Sequence, residues 1–216
     1  MSKITLGYWD YHGFGLPIRI ILEVAGADYE EKLYFPEKKN EWLKEKKNLD
    51  VLFPNIPYII DGELKFTEHL VIMRYLGKKF DLGPKNEKER ILLEQIEFHV
   101  CDISEKFYET VYDVTSYEKS KKEFIILIIH KLNDLEKFFE SKNFIFRDRL
   151  TYVDIYLYAN LVLLNAFDEQ ILQNKPNLRK FIKHMDEFPE IKAYKNSSRW
   201  KTRKVCNSFS LFKGTY

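Results

Sequence analysis

The sequence predicts an α/β amino-terminal part followed by an all-helical part, and three observations carry that prediction. Over the first 80 residues, short segments that alternate polar and apolar residues recur with helical segments between them. Asp61-Gly62 stands between two such segments, a strong hairpin signal. After Phe80-Asp-Leu-Gly-Pro84 no strand pattern of any length appears, and long helical periodicities take over. With 45% apolar residues in 216, the chain is long enough to bury a core as one large domain or two small ones.

Lys3 to Tyr8 alternates as a strand with one face on a core. A turn containing Gly13 and Gly15 leads through Pro17 into Ile18-Arg-Ile-Ile-Leu-Glu-Val-Ala25; proline is tolerated in a first helical turn, and Gly26 can stop the helix. Tyr29 to Tyr34 reads as a second strand and Glu41 to Lys47 as a short helix carrying Trp42. Tyr58 to Phe66 reads as two strands joined at Asp61-Gly62, and a helix from about Glu68 to Lys79 follows. The order β-α-β-α-β-β-α is a thioredoxin-like layout. The expected division is residues 1–82 for this domain and 87–216 for the helical one.

The longest helices are expected from Glu87 to about Val114 and from Lys119 to about Glu140. The second contains Phe124-Ile-Ile-Leu-Ile-Ile129, apolar on every side and so expected to be buried between other helices. Thr151-Tyr-Val-Asp154 has the form of a capping box, with Leu150 and Ile155 as its hydrophobic staple, before an apolar helix ending near Phe167. Pro176 and Pro189 begin two shorter helices, and the segment from Ser197 is polar and aromatic.

Composition excludes several functions. A net charge of +2, from 35 basic and 33 acidic residues, gives no nucleic-acid footprint. The runs Lys119–Lys122 and Lys201–Lys204 read as solvated faces. Cys101 and Cys206 lack metal-ligand spacing, so neither a metal site nor a disulfide framework is expected. No segment approaches the ~20 apolar residues of a membrane span, and the first residues carry no signal-peptide pattern. The expected compartment is the cytoplasm, where thiols stay reduced.

Two motifs bear on chemistry. Leu6-Gly7-Tyr8-Trp9-Asp10 places a tyrosine at the end of the first strand. Phe53-Pro54-Asn55-Ile56-Pro57-Tyr58 contains an X-Pro bond that tolerates the cis form and could offer backbone to a peptide-like ligand. Together these segments resemble the cytosolic glutathione transferases, in particular the mu class and its invertebrate relatives. The resemblance runs from Ile4 to Phe212 and is densest over residues 6–80 and around Tyr194-Lys-Asn-Ser-Ser-Arg199.

The resemblance implies conjugation of glutathione, as co-substrate and without a further cofactor, to hydrophobic electrophiles. It places the thiolate-stabilising tyrosine at Tyr8. A tyrosine hydroxyl suits that role, because phenol (pKa ~10) is a weaker acid than the thiol (~8.5) and donates to sulfur without losing its proton. Glutathione would contact Trp9, the Trp42–Lys46 pair, Asn55, the backbone of Ile56 before Pro57, Glu68 and His69, with Asp102 reaching in from the partner of a homodimer. Family members commonly carry Gln-Ser or Glu-Ser where this chain has Glu68-His69, so a bulky ring replaces a small hydroxyl. Trp9, Phe14, Tyr108, Tyr112, Cys206 and Phe212 would form the electrophile pocket, and Phe53 and Arg74 the dimer interface. The capping box matches the motif that nucleates the family's helical domain, but Arg147 stands where the family usually has glycine. The same residues would serve a glutathione-dependent isomerase, and the scaffold alone a non-catalytic carrier of hydrophobic ligands.

Overall fold

A computed structural model describes residues 3–214. Its first part runs β1 (Ile4–Trp9), α1 (Gly15–Val24), β2 (Tyr29–Tyr34), a 3₁₀ turn at Pro36–Lys38, α2 (Lys39–Lys46), β3 (Tyr58–Asp61), β4 (Leu64–Thr67) and α3 (His69–Lys79). The sheet order is β2-β1-β3-β4, with β1 parallel to β2 and antiparallel to β3, so the central strand β1 carries Tyr8 opposite Leu33. The strand alternation sorts side chains onto two faces. Ile4, Leu6 and Ile59 pack with α1 and α3 into the main core, while Tyr34, Trp42 and Tyr58 form a smaller aromatic cluster on the other side.

The second part is helical: α4 (Glu87–Val111), α5 (Tyr117–Phe138), α6 (Tyr152–Phe167), a 3₁₀ turn at Glu169–Leu172, α7 (Pro176–Asp186), α8 (Pro189–Asn196) and α9 (Ser198–Lys201). α1 packs against α6 and α8, and the main core continues without a break from the sheet into the helices. The capping box is formed in full: the Thr151 hydroxyl accepts from Asp154 N, and the Asp154 carboxylate accepts from Thr151 N at 2.8 Å and Ile145 N at 2.8 Å. Arg147 adopts φ +61°, the left-handed backbone that glycine takes without steric cost.

Three expectations are corrected. The hairpin turns at Gly62-Glu63 and not at Asp61-Gly62, because Asp61 still pairs with Leu64; Gly62 at φ +62° supplies the positive φ at the first turn position, while the Asp61 carboxylate accepts from Tyr75 Oη at 2.7 Å. α1 starts at Gly15 and not at Ile18, since Leu16 N already donates to His12 O at 2.8 Å, which leaves Pro17 inside the first turn where its missing donor costs nothing. The apolar run of α5 is not buried all round. The 3.6-residue period turns only Phe124, Ile128, Leu132 and Leu135 inward and leaves Ile126 67% and Leu127 47% exposed.

Candidate active site

Tyr8 lies near the end of β1 and is 3% exposed. The loop that follows folds back over its ring, and the backbone N–H of Phe14 donates to Tyr8 Oη at 3.0 Å. Gly13 makes this approach possible: its φ is +42°, and a Cβ there would lie 2.6 Å from Tyr8 Oη. Tyr11 meets the Tyr8 ring edge-to-face at 5.6 Å, and the Arg19 guanidinium sits 5.7 Å from the ring centroid. Burial pushes the Tyr8 phenol up to about 12, outweighing the Phe14 N–H, which acts the other way. The phenol therefore keeps its proton throughout the neutral range.

A buried ionic cluster fixes the loop. Arg19, fully buried, donates to the carbonyls of Tyr11 (2.9 Å), His12 (3.3 Å) and Trp9 (3.2 Å) and to Glu31 Oε2 (2.7 Å). Arg203 reaches Asp10 Oδ1 at 3.2 Å and pairs with Glu31 Oε1 at 3.1 Å. His12 N and Gly13 N donate to the carbonyls of Lys204 and Val205 at 2.8 and 3.1 Å. Burial, with both arginines nearby, pushes His12 down to about 3, so its neutral ring donates from Nε2 to Trp200 O at 3.2 Å. Sequence reasoning missed Tyr11, His12, Arg19, Glu31 and Arg203. One signal was available: a lone cation inside Ile18-Arg-Ile-Ile-Leu must be buried with partners.

The residues expected around glutathione fall into two groups. Trp42 is buried on α2 against Tyr34 (5.1 Å) and stacks on Tyr58 (6.4 Å), with Trp9 and Ile56 packed on the same cluster and Lys46 half-buried one turn on. The Ile56–Pro57 bond is cis, Asn55 is exposed, and Thr67 Oγ1 pins the segment by donating to Phe53 O at 2.9 Å. Glu68 stands exposed before α3 with φ +72° and ψ 111°, a sparsely populated backbone that clusters at ligand sites. The His69 ring is taken up elsewhere: it stacks on Phe14 at 4.3 Å and its Nε2 lies 3.5 Å from Tyr156 Oη. Asp102 is exposed and accepts from Lys131 Nζ at 2.6 Å.

Of the residues expected around the electrophile, Phe14 packs on Tyr108 at 4.5 Å. Tyr112 receives Asn207 N at 3.4 Å and interacts with Cys206, whose buried thiol is pushed up to about 12. Trp9 stands apart from them, on the Tyr34 side at 6.5 Å, and Phe212 packs on Phe107 and Phe167 in the helical core. Arg74 holds the fully buried Glu97 through its Nε at 2.8 Å and lies over the ring of Phe98, while Phe53 is 67% exposed. Among the described residues no group of three or more His, Cys, Asp or Glu side chains could hold a metal ion, and no helix is long and apolar enough to cross a membrane.

Comparison with known proteins adds a second line of observation. A family profile described as "Glutathione S-transferase, N-terminal domain" matches residues 4–78, and one described as "Glutathione S-transferase, C-terminal domain" matches residues 101–198. The chain is 37% identical over 207 residues to glutathione S-transferase Mu 3 of Mus musculus, covering 94% of each. It is 35% identical over 196 residues to a glutathione S-transferase of Tyrophagus putrescentiae, covering 89% of each. The crystal structure of the glutathione S-transferase Blo t 8 superposes with a TM-score of 0.90 at 29% identity, covering 97% of this chain and 99% of the other.

Proposed function

The chain belongs to the glutathione S-transferase family, and from that premise we propose that Tyr8 is the group through which this glutathione transferase activates its thiol. The observation that carries the reading is the Tyr8 hydroxyl itself: buried, protonated, and with Phe14 N–H at 3.0 Å. The N–H fixes the oxygen from one side and leaves the O–H proton to donate to sulfur. With a free thiol pKa of ~8.5, only a few per cent of glutathione is thiolate near neutral pH. A charge-assisted bond in a site with little water favours the anion, whose sulfur then attacks the electrophilic carbon; a C–S bond forms and the leaving group departs with its electron pair.

The rest of the binding scheme follows the same division of labour, with residues 1–82 holding glutathione and 87–216 completing the electrophile pocket. Trp42 and Lys46 receive the glycyl carboxylate, the Asn55–Ile56 backbone pairs with the cysteinyl segment as an added strand does, and Glu68 with the α3 N-terminus holds the γ-glutamyl end. Asp102 contributes from the partner subunit of a homodimer. Phe14, Tyr108, Tyr112 and Cys206 face the electrophile; Phe212 supports them from the core, and Trp9, on the Tyr34 side, borders the glutathione part of the site. Phe53, exposed along with Val71, Ile91 and Phe98, supplies the apolar side of the dimer contact and Arg74 its cation. The enzyme works in the cytoplasm on hydrophobic electrophiles.

The test is the ultraviolet absorbance of thiolate in the protein–glutathione complex as a function of pH. The expected apparent pKa is about 6.5, some two below the free thiol. A complex that binds glutathione with a thiol pKa near 8.5 would overturn the assignment of Tyr8.

A further inference from the structure

We infer that His69 is a positioning residue for the reaction: its ring, stacked on Phe14, holds the Phe14 N–H on the Tyr8 hydroxyl and so links the ligand-binding end of α3 to the sulfur-activating phenol. The inference deepens the reading of Tyr8 given above and rests on it.

Phe14 stands between Gly13 and Gly15, and Gly13 already lies at positive φ. A backbone flanked by two glycines has little intrinsic preference, and what holds it is a set of backbone bonds, Gly13 N to Val205 O at 3.1 Å and Leu16 N to Gly13 O at 3.2 Å, together with the packing of the Phe14 side chain. Two rings supply that packing. His69 lies almost parallel to Phe14, at 4.3 Å and 24°, and Tyr108 closes the other side at 4.5 Å and 55°. The cavity left behind the ring is about 10 Å³ and is lined by Ser104, Tyr108, Tyr156 and Asn160 among others, room for a single water and not for a second position of a phenyl ring. Removing the His69 ring uncovers one side of Phe14.

His69 is also the one member of the stack that belongs to the ligand-binding element. It is the first residue of α3, immediately after Glu68 at φ +72°, where the N-terminal N–H groups await the γ-glutamyl carboxylate. Its other edge faces Tyr156 Oη on α6, 3.5 Å from Nε2. Burial holds the ring neutral, so it stacks as an aromatic and brings no charge next to the thiolate. Any shift of the helix start on ligand binding moves this ring, then Phe14, then the N–H on Tyr8.

Two variants test this, His69→Ser and His69→Phe, each with two readouts. The first is amide hydrogen exchange at Phe14 in the ligand-free protein, which does not depend on the role of glutathione. His69→Ser should speed exchange about fivefold, the factor that loss of one aromatic pair carries, while His69→Phe, which restores a ring, stays within twofold of the wild type. The second is the apparent pKa of the bound thiol, expected to rise by about 0.7 in His69→Ser, a fivefold loss of thiolate that lowers kcat more than it raises KM for glutathione. Unchanged Phe14 exchange in His69→Ser overturns the inference, as does a fivefold loss of protection in His69→Phe. A lower thermal midpoint with an unmoved thiol pKa also overturns it, because that is what a merely structural ring would give. A wild-type complex with an undisturbed thiol would sink the Tyr8 reading alone, and Phe14 exchange would still decide whether the stack positions the N–H.

Discussion

Replacing Tyr8 by phenylalanine removes one hydroxyl and leaves the ring that Tyr11 and Arg19 contact. In the folded chain this costs the acceptor of the Phe14 N–H, a part-buried bond of 3.0 Å, and the net value of such a bond is about 1 kcal/mol of stability. The larger effect falls on the complex. A hydrogen bond to a buried anion is worth about 1.5–3 kcal/mol, so losing it should raise the bound thiol's pKa by about 1–2 at 1.36 kcal/mol per unit. At pH 6.5, where half of the wild-type thiol is ionised, that lowers the thiolate population, and with it kcat/KM, by about 5- to 50-fold. The sign with pH is fixed. The wild type reaches its plateau above about 6.5 and the variant only above about 8, so the deficit should shrink as pH rises toward 9. Tyr8 itself, held near 12 by burial, does not ionise in this range and adds no limb of its own. Steady-state conjugation of a chromogenic aryl halide from pH 5.5 to 9, with the thiolate titration alongside, measures both quantities. A deficit of equal size at every pH, or an unchanged thiol pKa in the variant, would refute thiolate stabilisation by this hydroxyl.

Asp154→Ala strips acceptors from two buried N–H groups and the Thr151 hydroxyl. At about 1–3 kcal/mol for each stranded donor the loss should be roughly 3–5 kcal/mol, read from the urea midpoint; a loss under 1 kcal/mol would mean that α6 is capped by other groups. Arg147→Gly removes the steric cost of φ +61° on a side-chain-bearing residue, offset in part by a freer unfolded chain. A gain of about 0.5 kcal/mol should raise the thermal midpoint by about 1–2 °C, and a lower midpoint would contradict it. Phe53→Ser withdraws a ring that is 67% exposed in the single chain; burying it in a partner is worth about 2 kcal/mol and a symmetric dimer buries two, so the dimer dissociation constant should rise roughly 10³-fold. Sedimentation at micromolar concentration would then shift toward the 26.1 kDa monomer, and identical sedimentation would exclude Phe53 from the contact.

What was legible in the sequence is what short-range physics decides. The β1–β4 pattern follows from alternation, and the α6 cap from a threonine and an aspartate three residues apart, both of which act within one turn of chain. The burial of Phe124–Ile129 was misread because a continuous apolar run carries no phase. Only the packed helix reveals that Phe124 and Ile128 face inward while Ile126 and Leu127 do not. The setting of Tyr8 was legible as a motif but not as a mechanism, since its N–H donor lies in a loop tied to Lys204 and Val205 and packed on rings from α3 and α4. His69 could be noticed as a departure from the family pattern, yet its partner Tyr156 lies 87 positions away, and no local rule connects them.

The ionic cluster around Arg19 imposes an order on biosynthesis. Asp10 and Arg203 are 193 residues apart, and a ribosome adding 5–20 residues per second needs roughly 10–40 s to travel between them. Throughout that interval the sheet can form, but Glu31 lacks its second cation and the loop over Tyr8 lacks the carbonyls of Lys204 and Val205. The nascent amino-terminal domain therefore waits in a part-assembled state, with three of the cluster's four charged groups, Asp10, Arg19 and Glu31, synthesised and Arg203 still missing. The loop over Tyr8 gains its last contacts only when Arg203, Lys204 and Val205 dock. A nonsense codon a few positions before 203 would yield a chain that carries Tyr8, Phe14 and Arg19 and still lacks the contacts that fix the loop over Tyr8.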